Sequence, residues 1–478
     1  MMGRLLRRIA AREDFVPRRA LGSMALSLAV LLAVAAGVWF GGPGLLYATG
    51  LWSDGGSATI DPSLYAPTPT PTPSPVTPTP AAATAVQGKL PDGAALLAKL
   101  RAVDRSSVPR DGMVVIDPLT GAVVLGESAD AMMTPASTFK VLTSAAALAA
   151  YGSDHRFTTK VVAGTGNQIV LVGGGDPYLS GATTQDYPER ASISDLAEST
   201  AKALKASGQT SVSLSYDDSL FTGAAWHPAW LPGYHEFATP TSALWVDEGI
   251  VNGVHGTTPS SDAANAFAAQ LKARGISVSS VAAGTAASGA TVLASVQSLP
   301  LDLIVSEVLL HSDNDGAEVL FRQIALAAGK SGSIGSAQVA MQAKLVDLGL
   351  WRDGMTIDDG SGLSRSNLAP PTVLALAVAK GFNDTRFRAL VDGLPTAAAD
   401  GTLHARYGDG GTESAGRGAV RAKTGTLTGV HSLAGFTRTG DGGLVVFAFI
   451  ANDVTAENAL AARSWLDRVT SVVAACGC

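Results

Sequence analysis

Ser137-Thr138-Phe139-Lys140 opens an Ala- and Leu-rich run that reaches Tyr151 and stops at Gly152. Pro135 stands just ahead, so the run reads as a buried helix with a proline-led start and a glycine stop. Residues three apart on a helix share one face, one turn apart. A lysine there can take the serine's hydroxyl proton, provided its amine is neutral and its pKa is pushed down. The apolar helix would desolvate Lys140. Ser137 also lies where helix N–H groups are free, so its own N–H can donate to a developing oxyanion. By itself the tetrapeptide reads as easily as a polar first turn with a snorkelling lysine.

Two further fragments sharpen the reading. Ser312-Asp313-Asn314 offers a hydroxyl to relay a proton to a leaving amine, and an amide suited to a peptide backbone. Asp313 suits a loop-positioning role, and the trio doubles as a helix N-cap with Glu318 inside the helix that follows. Lys423-Thr424-Gly425-Thr426 lies in a β-branched run that reads as a strand. Lys423 would bring a second positive charge to Lys140, and with Thr424 it suits a substrate carboxylate. Gly425 permits close backbone approach, and the Thr426 N–H is a candidate second oxyanion donor. The three fragments in this order point to active-site serine acyl transfer.

The chain has 478 residues and a net charge of −6. Its first nineteen residues hold six arginines against Glu13 and Asp14, so that segment is +4 and the remainder −10. A mildly acidic body without a basic stripe argues against nucleic-acid binding. No charge occurs from Ala20 to Ser53, and Leu21 to Phe40 is long enough to span a bilayer. With arginines ahead of it, the segment is expected to leave the N-terminus cytoplasmic and the body outside. It reads as a retained anchor in preference to a cleaved signal peptide. APTPTPTPSPVTPTP at 66–80 reads as an extended, semi-rigid spacer.

These shifts divide the chain into a basic tail (1–19), an anchor (20–41), a linker (42–88), a catalytic domain (89–156 plus 296–478) and an insertion (157–295). Helices are expected at 94–103, 262–273, 303–310, 317–328 and 455–475. Strands are expected at 113–117, 122–125, in a hairpin over 157–172, and at 443–451. Gly329-Lys330-Ser331 lacks the glycine and the strand of a phosphate-binding loop, since position 324 is Ile324. The seven histidines show no ligand spacing, most are expected at the surface or in loops, and no metal is assigned. The only cysteines, Cys476 and Cys478, could close a strained ring, stay reduced or bind a metal with help from elsewhere, and the favoured reading is a frayed tail without a catalytic role.

Taken together, SxxK, SDN and KTG resemble the penicillin-recognising serine enzymes, which comprise DD-peptidases and serine β-lactamases. Ser312 lies 175 positions after Ser137. So long an insertion resembles the class C low-molecular-mass penicillin-binding proteins, the D-Ala-D-Ala carboxypeptidase/endopeptidase type. Asp359-Gly360-Ser361-Gly362-Leu363-Ser364-Arg365, Gly173-Gly174-Gly175-Asp176-Pro177 and Asp400-Gly401-Thr402-Leu403 resemble further segments of that family. Ala398 departs from it, standing where a glycine is common, so the local backbone is expected to differ.

The resemblance implies an α/β (α+β) transpeptidase/β-lactamase-like domain, an antiparallel sheet flanked by helices, with a β-rich domain inserted between SxxK and SDN. It implies that Ser137 attacks a stem-peptide D-Ala-D-Ala bond, Lys140 takes the proton and Ser312 relays one to the leaving D-Ala. Ser137 and Thr426 N–H groups would hold the oxyanion, and Asn314, Lys423, Thr424 and Gly425 would line the substrate site. No cofactor is implied. Peptidoglycan stem peptides are the implied partners and β-lactams the covalent inhibitors, while the N-terminal segment is expected to hold the body on the wall side of the cell membrane, or to leave it secreted if cleaved. A β-lactamase or esterase on the same fold and a catalytically inactive wall-binding protein are the competing readings.

Overall fold

The structure is a computed structural model that describes residues 88–183, 188–408 and 410–478. The expected anchor and spacer lie outside these residues. Among the described residues no helix is long and apolar enough to cross a membrane.

Strands are numbered along the chain. The central sheet comprises β1 (Arg110–Ile116), β2 (Val123–Glu127), β10 (Arg421–Leu427), β11 (Val430–Arg438) and β12 (Leu444–Asn452), in the order β10-β11-β12-β1-β2. Every neighbouring pair is antiparallel. Successive side chains alternate between faces, and here both faces are covered. Val114, Ile116, Ala448 and Ile450 join the larger core. Met113, Val115, Phe447 and Phe449 join a second core on the other face. That explains why β12 is apolar almost throughout and not alternating.

Helices are likewise numbered along the chain. α2 (Lys140–Tyr151), α5 (Leu301–His311), α6 (Asn314–Ala327), α7 (Ile334–Asp347), α8 (Pro371–Asn383) and the short α9 (Ala389–Asp392) supply the larger core. α1 (Gly93–Arg101) and α10 (Ala459–Ala475) supply the other. The domain is therefore a sheet sandwiched between two helical layers.

Between α2 and α5 the chain builds a second sheet from β3 (Thr158–Ala163), β4 (Gln168–Val172), β5 (Ser211–Asp217), β8 (Ser277–Ala283) and β9 (Val292–Gln297). Its order is β8-β5-β4-β3-β9. The β4–β5 and β5–β8 pairs are parallel, which requires crossovers. α3 (Ile193–Ala206) and α4 (Pro259–Ala273) supply them, packing Leu196, Leu204, Phe267 and Leu271 on Ile169, Leu171, Val212 and Leu214. The sequence reading missed α3, although Ser192 caps it by accepting the Asp195 N–H. A small hairpin, β6 (Ile250–Val251) and β7 (Val254–His255), completes the region. Its turn residues Asn252 and Gly253 both take positive φ, as a tight hairpin turn demands.

The C-terminus is docked, which corrects the expectation of a frayed tail. Cys476 is buried and disulfide-bonded to Cys478, whose carbonyl accepts the Asp92 N–H at 2.8 Å. Ala398 takes φ +59° in spite of its Cβ, so this loop keeps the backbone that a glycine would favour.

Candidate active site

Ser137 sits in a 3₁₀ turn, Ala136–Phe139, that feeds α2, and not in the α-helix proper. In a 3₁₀ turn residues i and i+3 eclipse, which stacks Ser137 on Lys140. The turn is set by Ala136, a buried non-glycine at φ +50°. Gly362 lets its carbonyl pass, because a Cβ at Gly362 would overlap the Ala136 oxygen.

Lys140 is fully buried. Its Nζ lies 3.0 Å from Ser137 Oγ, 2.7 Å from Asn314 Oδ1 and 2.7 Å from the Ser361 carbonyl. A neutral amine has two N–H bonds and one lone pair. Asn314 and Ser361 can only accept at these oxygens, so they take both N–H bonds and leave the lone pair for Ser137. Burial lowers the Lys140 pKa from 10.5 to about 8, against the opposing pull of Asp313, Asp359, Glu318 and Asp315. Lys423 is fully buried as well and is pushed well below the ordinary lysine value, first by burial and then by the charge of Lys140. The like-charge effect expected on Lys140 thus falls on its neighbour.

The Asp359–Arg365 segment braces the lysine. Glu318 on α6 accepts the Gly360 and Ser361 N–H groups at 2.9 and 2.7 Å, fixing the Ser361 carbonyl that faces Lys140. Burial raises the Glu318 pKa to about 8. Thr143 on α2 donates to the Gly360 carbonyl at 2.7 Å. Asp359 accepts from the Gly362 and Ser364 N–H groups and from Trp230 Nε1, at 2.8, 2.6 and 2.8 Å.

α5 ends at Ser312, which takes the left-handed conformation at φ 59°. This break redirects the chain into Asp313, the N-cap of α6, which accepts the Asp315 and Gly316 N–H groups. Tyr178, directly after the Gly173–Pro177 loop, donates to Asp313 Oδ2 at 2.8 Å. Asn314 Nδ2 donates to the Phe237 carbonyl at 2.8 Å.

β10 is the edge strand beside the Ser137 turn. Alternation puts Lys423 and Gly425 on one face and Thr424 and Thr426 on the other. Lys423 Nζ donates to the Thr424 carbonyl at 2.8 Å. The Thr424 and Thr402 hydroxyls are 2.8 Å apart. A Cβ on Gly425 would overlap Ser432 Oγ and lie 2.7 Å from the Pro135 carbonyl and 3.1 Å from the Ser137 nitrogen, so only glycine fits.

Ser137, Ser312, Asn314 and Thr426 line one cleft of about 390 Å³, with Tyr234, Phe237, Leu363, Leu427 and Thr428 as its other walls. A second, more polar cavity of about 380 Å³ shares Ser312, Asn314 and Phe237 and adds Tyr178, Arg190, Glu248, His255 and Asp315 among its walls.

A model of the D-Ala-D-Ala carboxypeptidase 3 (S13) family matches residues 95–255 and 252–473. The chain belongs to this family. It is 35% identical over 384 residues to a carboxypeptidase of Mycobacterium tuberculosis, covering 76% of this chain and 80% of the relative. It is 27% identical over 421 residues to the D-alanyl-D-alanine carboxypeptidase of an Actinomadura species, covering 71% and 77%. Penicillin binding protein 4 of Haemophilus influenzae superposes with a TM-score of 0.65 at 20% identity, over 79% of this chain and 98% of that one, and so shares its fold.

Within this S13-family site, the structure brings Ser137, Ser312, Asn314 and Thr426 to one cleft with Lys140 against Ser137, whereas Lys423, Thr424 and Gly425 are not among the cleft's walls, and the contacts that hold these residues were not read from the sequence. Ser361, Glu318, Trp230, Thr402, Tyr178 and Phe237 had no assigned contact. Motif resemblance marked the segments of Ser361 and Thr402 and the loop just before Tyr178, and an aromatic-rich run, Trp226 to Phe237, was the unread signal for two others. Most of the histidines lie at the surface or in loops, as expected. His227 and His431 are buried. Burial, aided by Arg406 and Arg463, lowers the His431 pKa to about 4 and keeps it neutral.

Proposed function

We propose that Ser137 is the acylated nucleophile of a serine-type D-Ala-D-Ala carboxypeptidase acting on peptidoglycan stem peptides. Neutral Lys140 takes the Ser137 proton as Oγ attacks the carbonyl of the penultimate D-Ala. The N–H groups of Ser137 and Thr426 hold the oxyanion. Ser312 passes a proton to the amine of the terminal D-Ala as the C–N bond breaks. Water then attacks the ester, releasing the shortened stem peptide and restoring the hydroxyl. Thr424 offers its hydroxyl to the terminal carboxylate, the buried Lys423 amine holds the Thr424 carbonyl instead of reaching the carboxylate as expected, and Gly425 keeps the strand close to the Ser137 turn. Asn314 Oδ1 has a second lone pair and Nδ2 a second N–H, so it can orient Lys140 and still meet the substrate backbone.

The observation that carries this reading is the Lys140 amine 3.0 Å from Ser137 Oγ, with two carbonyl oxygens placed to take its N–H bonds. A β-lactam offers the same carbonyl and carboxylate, so it should acylate Ser137. Residues 20–41 act as an anchor and 66–80 as a spacer that holds the body on the wall side of the membrane. The arginine-led apolar run and the alternating prolines support that placement.

The test is HPLC of products from a defined pentapeptide muropeptide. Free D-Ala is expected from the wild type and none from Ser137→Ala. Undiminished D-Ala release by the variant would overturn the proposal.

A further inference from the structure

Besides Tyr178 and Trp230, the inserted region reaches the site through a short strap, Phe237-Ala238-Thr239, that lies against the start of α6. Phe237 is 53% exposed, so burial of its ring does not fix its carbonyl. That carbonyl nevertheless decides how Asn314 is oriented. An asparagine amide fits its site in two ways, exchanged by a half-turn. A carbonyl oxygen can only accept, so the 2.8 Å contact to Phe237 draws Nδ2 outward and turns Oδ1 to Lys140. The reverse orientation would set an NH2 group against the lysine amine and cost it an acceptor.

The strap is held from its other end. Thr239 is fully buried, and its N–H donates to Asp315 Oδ1 at 2.8 Å. Its hydroxyl donates to the Glu248 carbonyl at 2.8 Å. With that proton committed, Thr239 Oγ1 must accept from His255 Nδ1, which is 2.9 Å away. Nδ1 therefore carries hydrogen, and the same N–H faces Asp315 Oδ2 at 3.3 Å. Asp315 is the residue after Asn314. The contacts close a ring that runs from Asn314 through Asp315, Thr239 and Ala238 to Phe237 and back. Gly249 is needed behind it, because a Cβ there would crowd the Thr239 methyl at 2.6 Å. Glu248 holds φ 59° in the same turn, a conformation that neighbours must enforce.

We infer that His255, Asp315 and Thr239 form a clasp by which the inserted region orients the Asn314 amide, and through it the Lys140 amine, for proton transfer from Ser137. These are positioning residues acting through Asn314. The inference rests on the reading of Ser137 and Lys140 as the reacting pair.

The test is the acylation kinetics of the full chain with a fluorescent penicillin, separating initial binding from the limiting acylation rate. His255→Ala should lower the limiting rate about tenfold, a loss typical of small misplacements of reacting groups, and leave initial binding within about twofold. His255→Asn puts an N–H donor at the same place and should recover the rate to within about threefold of wild type. Wild-type acylation by His255→Ala would overturn the inference. So would an equal fall in both variants with matched losses of melting temperature, which marks a merely structural role. If His255→Ala does not fold, Thr239→Val, which removes only the hydroxyl bonds, decides on the same terms. A wild type that penicillin does not acylate would instead sink the underlying reading of Ser137 and Lys140.

Discussion

Raising the pH from 6 to 9 should accelerate acylation of Ser137, and the position of the rise follows from the burial of Lys140. The amine must be neutral to accept the serine proton. An exposed lysine of pKa 10.5 is neutral in about one molecule in three thousand at pH 7. Burial brings Lys140 to about 8, so about a tenth of molecules are competent at pH 7. The sign is fixed, since the neutral fraction can only grow as protons are withdrawn. Acylation should rise about tenfold per pH unit below 7, by about fiftyfold in all between pH 6 and 8, and level off above about 8. The assay is the second-order rate constant for a fluorescent penicillin at constant ionic strength. A rate that is flat from pH 6 to 9, or that falls with pH, would refute Lys140 as the base. A rise still unsaturated at pH 10 would refute its desolvation.

Two substitutions test the geometry around this pair. Gly425→Ala puts a methyl into Ser432, Pro135 and the Ser137 nitrogen, so it should cut acylation at least about tenfold; a wild-type rate would show that the strand has room to spare. Ala398→Gly relieves a left-handed alanine and should stabilise the protein by about 0.5–1 kcal/mol. Urea denaturation checks it, and a lowered midpoint would mean that the methyl's packing outweighs the strain.

What was legible in the sequence was local. The spacing of Ser137 and Lys140 foreshadows their contact, and the apolar runs mark β1, β2, β12, α2 and α10. The amphipathic spacing of Ile193, Leu196, Thr200 and Leu204 was also there to be read, but α3 was obscured by the strand-like stretches on either side. The 3₁₀ form of the Ser137 turn depends on Ala136 at positive φ, which only the carbonyl's fit against Gly362 makes tolerable. Contacts between remote segments were not legible. Phe237 meets Asn314 across 77 positions and Trp230 meets Asp359 across 129. No local periodicity encodes such pairings, because the backbone topology of two sheets must be known first. The docked tail was missed for the same reason, since its anchor is the N–H of Asp92, near the other end of the described chain.

The central claim is that a desolvated amine at position 140 makes the Ser137 oxygen the nucleophile. Intact-mass measurement after brief exposure to penicillin, followed by peptide mapping, tests it most directly. One adduct per chain, on the peptide containing Ser137 and lost in both Ser137→Ala and Lys140→Met, is the expected result. An adduct on another residue, or one formed at the wild-type rate in Lys140→Met, would contradict it.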